Sequence, residues 1–173
     1  AVADFAEKHS GEIGFHKYLQ WLAGGQLAEV SRCAKECGLS LGLYRDLALS
    51  CPASSAEAWV NQDSLVNGAS MGAPPEPAIP AGQNWGGVPL HPDKLRESAF
   101  APVRELLAAN MQPDGMLRID HGMQLQRLYW IPPGCSPEEG VYCAYPLADL
   151  MKLIALESHR RRCLVVCEDL GTV

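Results

Sequence analysis

The sequence lacks the features that mark several large functional classes. No apolar run approaches the ~20 residues needed to span a bilayer. The opening residues, Ala-Val-Ala-Asp-Phe-Ala-Glu-Lys-His, contain no apolar core of a signal peptide. There is no basic excess: 14 Lys and Arg against 20 Asp and Glu leave a net charge of −6. A general nucleic-acid partner or an anionic membrane is thereby excluded, since either needs a basic face. There is no Cys-x-x-Cys pair either. Cys33 and Cys37 are four residues apart, as are Cys163 and Cys167, but no tight cysteine pair or His-x₃₋₅-His spacing completes a zinc set. Buried, reduced thiols are the expectation, and with them a cytoplasmic location.

What the chain does have is enough length, 173 residues with 47% apolar content, for one domain with a sizeable core. From Phe15 to Cys37 the apolar residues Phe15, Tyr18, Leu19, Leu22, Leu27, Val30 and Ala34 recur at mostly three- and four-residue steps, predicting an amphipathic helix with a kink at Gly24-Gly25 and a stop at Gly38. Leu39 to Tyr44 reads as a strand running into Arg45-Asp46. Residues 48–92 lose all periodicity and fill with proline and glycine. Such a length is unusual for a connection, and Trp59, Met71 and Trp85 favour a working loop over a linker. Helical spacing returns from Leu95 to Asn110, restarting at Pro102, and again from Leu147 to Arg161, with Asp149 and the run His159-Arg162 placed to suit the helix dipole. Residues 122–146 read as loop.

Two further apolar runs end in acids: Leu117-Arg118-Ile119-Asp120-His121 and Leu164-Val165-Val166-Cys167-Glu168-Asp169. Alternation of helix and strand predicts an α/β fold with parallel strands, whose C-terminal ends gather at one face. Side chains alternate along a strand, so Arg118 and Asp120 share a side and can pair. Two carboxylates on neighbouring strand ends suit double displacement at an acetal. Asp120, kept ionised by Arg118, is the better nucleophile. Glu168, after an apolar run that would raise its pKa, is the better proton donor. Either acid alone could equally be a helix cap or a structural ion pair, and Asp120, His121, Glu168 and Asp169 could also serve as hard metal ligands. His16 and His91 are assigned no role. A non-catalytic binding module remains an alternative at this point.

Six motifs in one order carry a resemblance: Gly72-Ala73-Pro74-Pro75, Gly82-Gln83-Asn84-Trp85-Gly86, Leu117 to His121, Arg127-Leu128-Tyr129-Trp130-Ile131-Pro132, Leu153 to Ser158, and Glu168-Asp169-Leu170-Gly171-Thr172-Val173. Together they resemble the 4-alpha-glucanotransferases, the amylomaltase or disproportionating group related to the alpha-amylases. The resemblance implies a partial (β/α)8 barrel, about three parallel units near its third to fifth strands, with residues 48–92 as an inserted acceptor loop. It implies Asp120 as nucleophile and Glu168 as general acid/base. Asp46, Arg118, His121 and Asp169 become sugar-contacting or supporting residues, and Gln83 and Trp85 part of the acceptor side. The implied reaction is retaining transfer of an α-1,4-glucan segment to the 4-hydroxyl of an acceptor glucose or maltooligosaccharide, with no metal or other cofactor. Partners are then maltooligosaccharides and starch- or glycogen-derived glucans. An amylase-type hydrolase is the alternative.

Three positions depart from the family pattern: Glu76 stands where Asp is common, Gly122-Met123-Gln124 where Val-Met-Gly is common, and Cys167 where glycine is usual. A third essential acid of the family, in a Thr-His-Asp motif, has no counterpart here. The chain is therefore expected to be an internal fragment of the catalytic domain, inactive alone and self-associating through open strand edges.

Overall fold

A computed structural model describes residues 1–48 and 50–170. The Gly171-Thr172-Val173 end of the last motif lies outside the described residues. The chain divides into two units, Ala1–Leu43 and the remainder from Tyr44.

The first unit is helical. A short helix α1 (Val2–Lys8) leads into α2 (Ser10–Glu36), 27 residues long. Gly24 and Gly25 do not interrupt it, because neither departs from helical backbone and no steric demand requires a bend there. The expected stop is present: Gly38 has φ +81°, its N–H bonds the Lys35 carbonyl, and the Leu39 N–H bonds that of Ala34, a Schellman closure. Ala34 is the helix's buried residue, and Phe15, Tyr18, Leu19 and Val30 of the stripe are exposed.

The second unit contains a parallel sheet. The first strand, β1, is Tyr44–Leu47 and not 39–44 as the apolar run suggested. Gly42, at φ +60°, and a turn from the Gly42 N–H to the Leu39 carbonyl break the extended path before Tyr44. Asp46 thus lies inside the strand. A helix α3 (Ala56–Val60), capped by the Ser55 hydroxyl, is followed by strands β2 (Ser70–Ala73) and β3 (Gln83–Asn84). Helices α4 (Pro92–Glu97) and α5 (Ala101–Asn110) meet at Ala99 and Phe100, both with positive φ. Strand β4 (Met116–Ile119), β5 (Arg127–Ile131), β6 (Val141–Ala144), helix α6 (Leu147–Arg161) and β7 (Leu164–Cys167) complete the order.

The parallel sheet has the order β1-β4-β7, and β4, in the centre, pairs both ways in register: Asp46 opposite Arg118, and Arg118 opposite Val166. Its alternation decides what faces what. Leu117 and Ile119, at 0% and 4% exposure, pack against Leu107 and Met111 of the α5 end, Leu150 and Ile154 of α6, and Cys163. Arg118 is left on the other side. Helix α6 runs over the residues its periodicity indicated, and its Glu157 is buried between Arg160 and Arg161 at 3.2 Å each.

The second sheet was not expected. It is antiparallel, in the order β3-β2-β5-β6, and is drawn from the two segments that read as loops. Its strands are two to five residues long and bounded by Pro and Gly, too short to display a period of two in the sequence. At Gly72 the two chains approach so closely that a Cβ would stand 2.0 Å from the Gln83 carbonyl oxygen. Only glycine fits there.

Candidate active site

Three carboxylates converge on one guanidinium at the C-terminal end of the parallel sheet. Arg118 Nη1 donates to Asp46 Oδ1 at 2.6 Å, while Nη2 lies 2.8 Å from Asp120 Oδ1 and 2.6 Å from Glu168 Oε1. The register of β1, β4 and β7 makes this possible, since Asp46 and Arg118 are directly paired and Asp120 and Glu168 each follow the last residue of a strand. The strand ends are tied by the main chain: the Asp120 N–H donates to the Leu47 carbonyl and the Glu168 N–H to that of Ile119. The anions raise the already high pKa of Arg118, Asp46 most of all, so the cation is permanent.

Glu168 differs from its sequence expectation. The apolar run before it does not set its environment. The His121 main-chain N–H donates to its Oε2 at 2.9 Å. That bond, and after it the charge of Arg118, hold the carboxyl below its usual range, against the opposing effect of partial burial. Delivering this N–H requires His121 to adopt φ 45°, in the left-handed region that side chains seldom occupy. The sharp turn continues with the Gly122 N–H donating to the Glu168 carbonyl at 3.0 Å.

The His121 ring forms one wall. Its Nε2 is buried without a hydrogen-bond partner, and burial pushes its pKa down despite Glu168 and Asp120 nearby, so the neutral ring is favoured. The Trp85 ring meets it edge-on, at 5.1 Å between centroids. Gln83 fixes that indole by accepting its Nε1–H at 3.1 Å. Asp120, His121, Glu168 and Trp85 line a depression of about 340 Å³, together with Ala48 and Ser50. Asp169, by contrast, is exposed and does not line it. Among the described residues no group of three or more His, Cys, Asp and Glu side chains is disposed to hold a metal ion.

Other contributors were given no site role from the sequence, although Glu76, Met123 and Gln124 stood out there as departures from the family pattern. Gln124 donates from Nε2 to the Asp120 carbonyl at 2.8 Å, steadying the turn that carries the acid. Glu76, Met123 and Tyr142 line a second depression that shares Trp85, His121 and Glu168 with the first. A glutamine after the Asp-His pair and a tyrosine in a Pro-bounded stretch give no periodic signal. The tertiary contact alone reveals them.

Two acids bridged by an arginine at parallel strand ends, beside an indole and an unsatisfied imidazole nitrogen, form an arrangement that can support acid/base and nucleophilic chemistry. Comparison with known proteins gives the family. The sequence profile described as 4-alpha-glucanotransferase matches residues 1–173, and the chain belongs to that family. It is 46% identical over 165 residues to the 4-alpha-glucanotransferase of Haemophilus influenzae, covering 95% of this chain and 24% of the relative. It is 43% identical over 172 residues to that of Mycobacterium tuberculosis, covering 99% and 24%. The amylomaltase of Corynebacterium glutamicum superposes with a TM-score of 0.83 at 36% identity, over 92% of this chain and 23% of that one. The amylomaltase of Streptococcus agalactiae in complex with acarbose shares the fold, with a TM-score of 0.85 at 23% identity, over 100% and 36%. The chain thus spans about a quarter of the length of the curated relatives it matches. No helix among the described residues is long and apolar enough to cross a membrane.

Proposed function

We propose that this chain is a catalytic segment of a 4-alpha-glucanotransferase and contributes about three units of a (β/α)8 barrel. Its two acids carry out retaining transfer between α-1,4-glucans. The observation that supports this most directly is the shared nitrogen. Asp120 Oδ1 and Glu168 Oε1 both touch Arg118 Nη2, at 2.8 and 2.6 Å, so they can lie no farther apart than those two distances end to end. That favours the short spacing of about 5 to 5.5 Å used in double displacement over the wider one of inverting enzymes, which must admit a water.

In the first half-reaction Asp120, with Arg118 beside it, attacks the anomeric carbon. The bond to the leaving oxygen breaks as Glu168 supplies its proton. In the second half Glu168 takes the proton from the acceptor 4-hydroxyl, whose oxygen displaces Asp120. The depressed pKa of Glu168 describes the open site, in which the carboxylate is the base needed for this second half. Filling the site with glucan expels water, and that loss of solvation raises the proton affinity of Glu168 for the first half. His121 Nε2, buried and unpartnered, is suited to a sugar hydroxyl. Residues 48–92 supply Trp85 and Gln83 and serve as the acceptor loop. Of the seven free thiols only Cys163 is buried, contrary to the expectation of buried cysteines, and their unpaired state fits a reducing cytoplasm.

The test is the product pattern from maltotriose, using full-length protein that carries this segment. A ladder of longer glucans with retained configuration is expected; glucose and maltose alone would mean that water is the acceptor. The 173-residue chain by itself should give no turnover.

A further inference from the structure

The helix dipole accounts for the sign of the basic run at the end of α6 but not for the acid inside it. Among the described residues Glu157 is the only charged side chain that is buried. A carboxylate one turn from a helix C-terminus opposes the dipole, and burying it is unfavourable unless it is paired. Arg160 meets it through Nη1 and Arg161 through Nε, each at 3.2 Å. The buried acid thereby holds both guanidiniums in place. The two terminal nitrogens of Arg161 are left without a partner among the described residues.

Those nitrogens border a depression of about 430 Å³ between α5 and α6. Arg104 of α5 lines it too, exposed and bonded to no other side chain among the described residues. Glu105 and Ala108 complete the lining from α5, the alanine leaving space between the helices. Three arginines against two glutamates give one net positive charge here, in a chain whose total is −6. The candidate active site has the opposite balance, three carboxylates around one arginine, and repels an anion. Planar guanidiniums already fixed by a buried carboxylate match the oxygens of a phosphate and spare it the cost of ordering them. Glu105 disfavours a bare anion but accepts from hydroxyl donors. No aromatic ring lines the depression, so the apolar faces of a glucan would find nothing to stack on.

We propose that the depression between α5 and α6 binds a hexose phosphate, with the phosphate on Arg104, Arg160 and Arg161 and the sugar hydroxyls donating to Glu105. The site is independent of the transfer reaction proposed above. It shares no lining residue with the depressions that contain Glu168. It also lies where α6 leads into the start of β7, whereas Glu168 follows the end of that strand.

The experiment is calorimetric titration of full-length protein carrying this segment with glucose 6-phosphate at low ionic strength, with inorganic phosphate and glucose as comparisons. Glucose 6-phosphate should bind saturably, inorganic phosphate more weakly and glucose not at all. R104Q removes one charged hydrogen bond and should weaken glucose 6-phosphate about tenfold. R161K keeps the charge but cannot hold Glu157 and the phosphate together, and should weaken it by about three- to tenfold. Because Arg104 supports nothing in the fold, R104Q should keep the wild-type melting temperature and wild-type glucan transfer. It therefore keeps the question decidable if R161K does not fold. Wild-type affinity in R104Q overturns the site, as does the absence of saturable binding by the wild type. Inorganic phosphate binding as tightly as glucose 6-phosphate refutes the part played by the sugar. Displacement of glucose 6-phosphate by maltotriose would place it among the acids of the glucan site and overturn the proposal as well.

Discussion

Replacing Gly122 by alanine should strain the site against the end of β7, and removing the Cys167 side chain should relieve about half of that strain. A Cβ built on Gly122 would stand 2.7 Å from the Cys167 Cβ and 2.8 Å from the Glu168 carbonyl oxygen, with the Cys167 Cα at 3.4 Å. The first two distances are shorter than real Cβ contacts allow. Both involve the end of β7, so the turn after Asp120 must lift away from the strand that carries Glu168. The 3.0 Å bond from the Gly122 N–H to the Glu168 carbonyl would stretch with it. Overpacking of this kind costs about 1 to 3 kcal/mol, and Gly122 has no positive φ that would add backbone strain. In C167G the Cβ is gone, leaving only the carbonyl contact, so G122A made in that background should cost roughly half as much. The interaction energy from urea unfolding of wild type, both single variants and the double variant should be about 1 kcal/mol, with the sign of a rescue. Transfer activity should follow: lowered in G122A, substantially restored in the double variant. Strictly additive stabilities would refute the close approach. The two departures from the family pattern, glycine at 122 where valine is common and cysteine at 167 where glycine is usual, are then one exchange of bulk across a single contact.

Other expectations concern the acids and their supports. D120N and E168Q should each lower kcat by at least about 10²- to 10⁴-fold with the fold intact by circular dichroism. R118K keeps the charge but cannot span three carboxylates, and it should lose about 10²- to 10³-fold in kcat/KM. Acid should destabilise the protein in two stages. His121 prefers to stay neutral when folded, so stability declines as pH falls below its ordinary 6.5; Glu168 prefers to stay ionised, so a further decline sets in below its ordinary 4.5. H121Q should remove the upper stage and E168Q the lower, read from melting temperature against pH; unchanged profiles would contradict both assignments. Q124L should lower kcat about two- to tenfold with little change in KM, as the Asp120 turn loosens, and Q124E should not restore it, having no donor.

How much was legible beforehand follows from what kind of signal each feature leaves. Helix α6 could be bounded from its apolar spacing and charge polarity, because fifteen residues hold four turns of repeat. Strands β4 and β7 were visible as apolar runs ending in acids. Their parallel pairing followed from the helix between them. The α2 stop was legible from Gly38. Strands β5 and β6 were not, since five and four residues flanked by proline look like loop. The position of Asp46 was off by a strand's length because the run Leu39 to Leu43 is apolar yet broken by Gly42. The ionisation of Glu168 was misjudged for a different reason: sequence neighbours suggested apolar surroundings, whereas a main-chain N–H from the turn after β4 is the main cause of its lowered pKa. His121 could be suspected as a sugar contact only through the family motif. That its amide, rather than its ring, reaches Glu168 depends on a left-handed backbone that no residue-type pattern announces.

The three-way hold of Arg118 also bears on how the sheet finds its pairing. Asp46, Asp120 and Glu168 come from three strands, and without a cation they would repel one another at the end of the sheet. Sliding β1 or β7 by one residue would turn its acid's side of the sheet around, leaving Arg118 with one anion fewer and the displaced acid without its counter-charge. Misaligned sheets are thus penalised electrostatically as well as by exposed apolar surface. The residues proposed for catalysis therefore also favour the native strand register, so the pairing that assembles the site is the one its charges support.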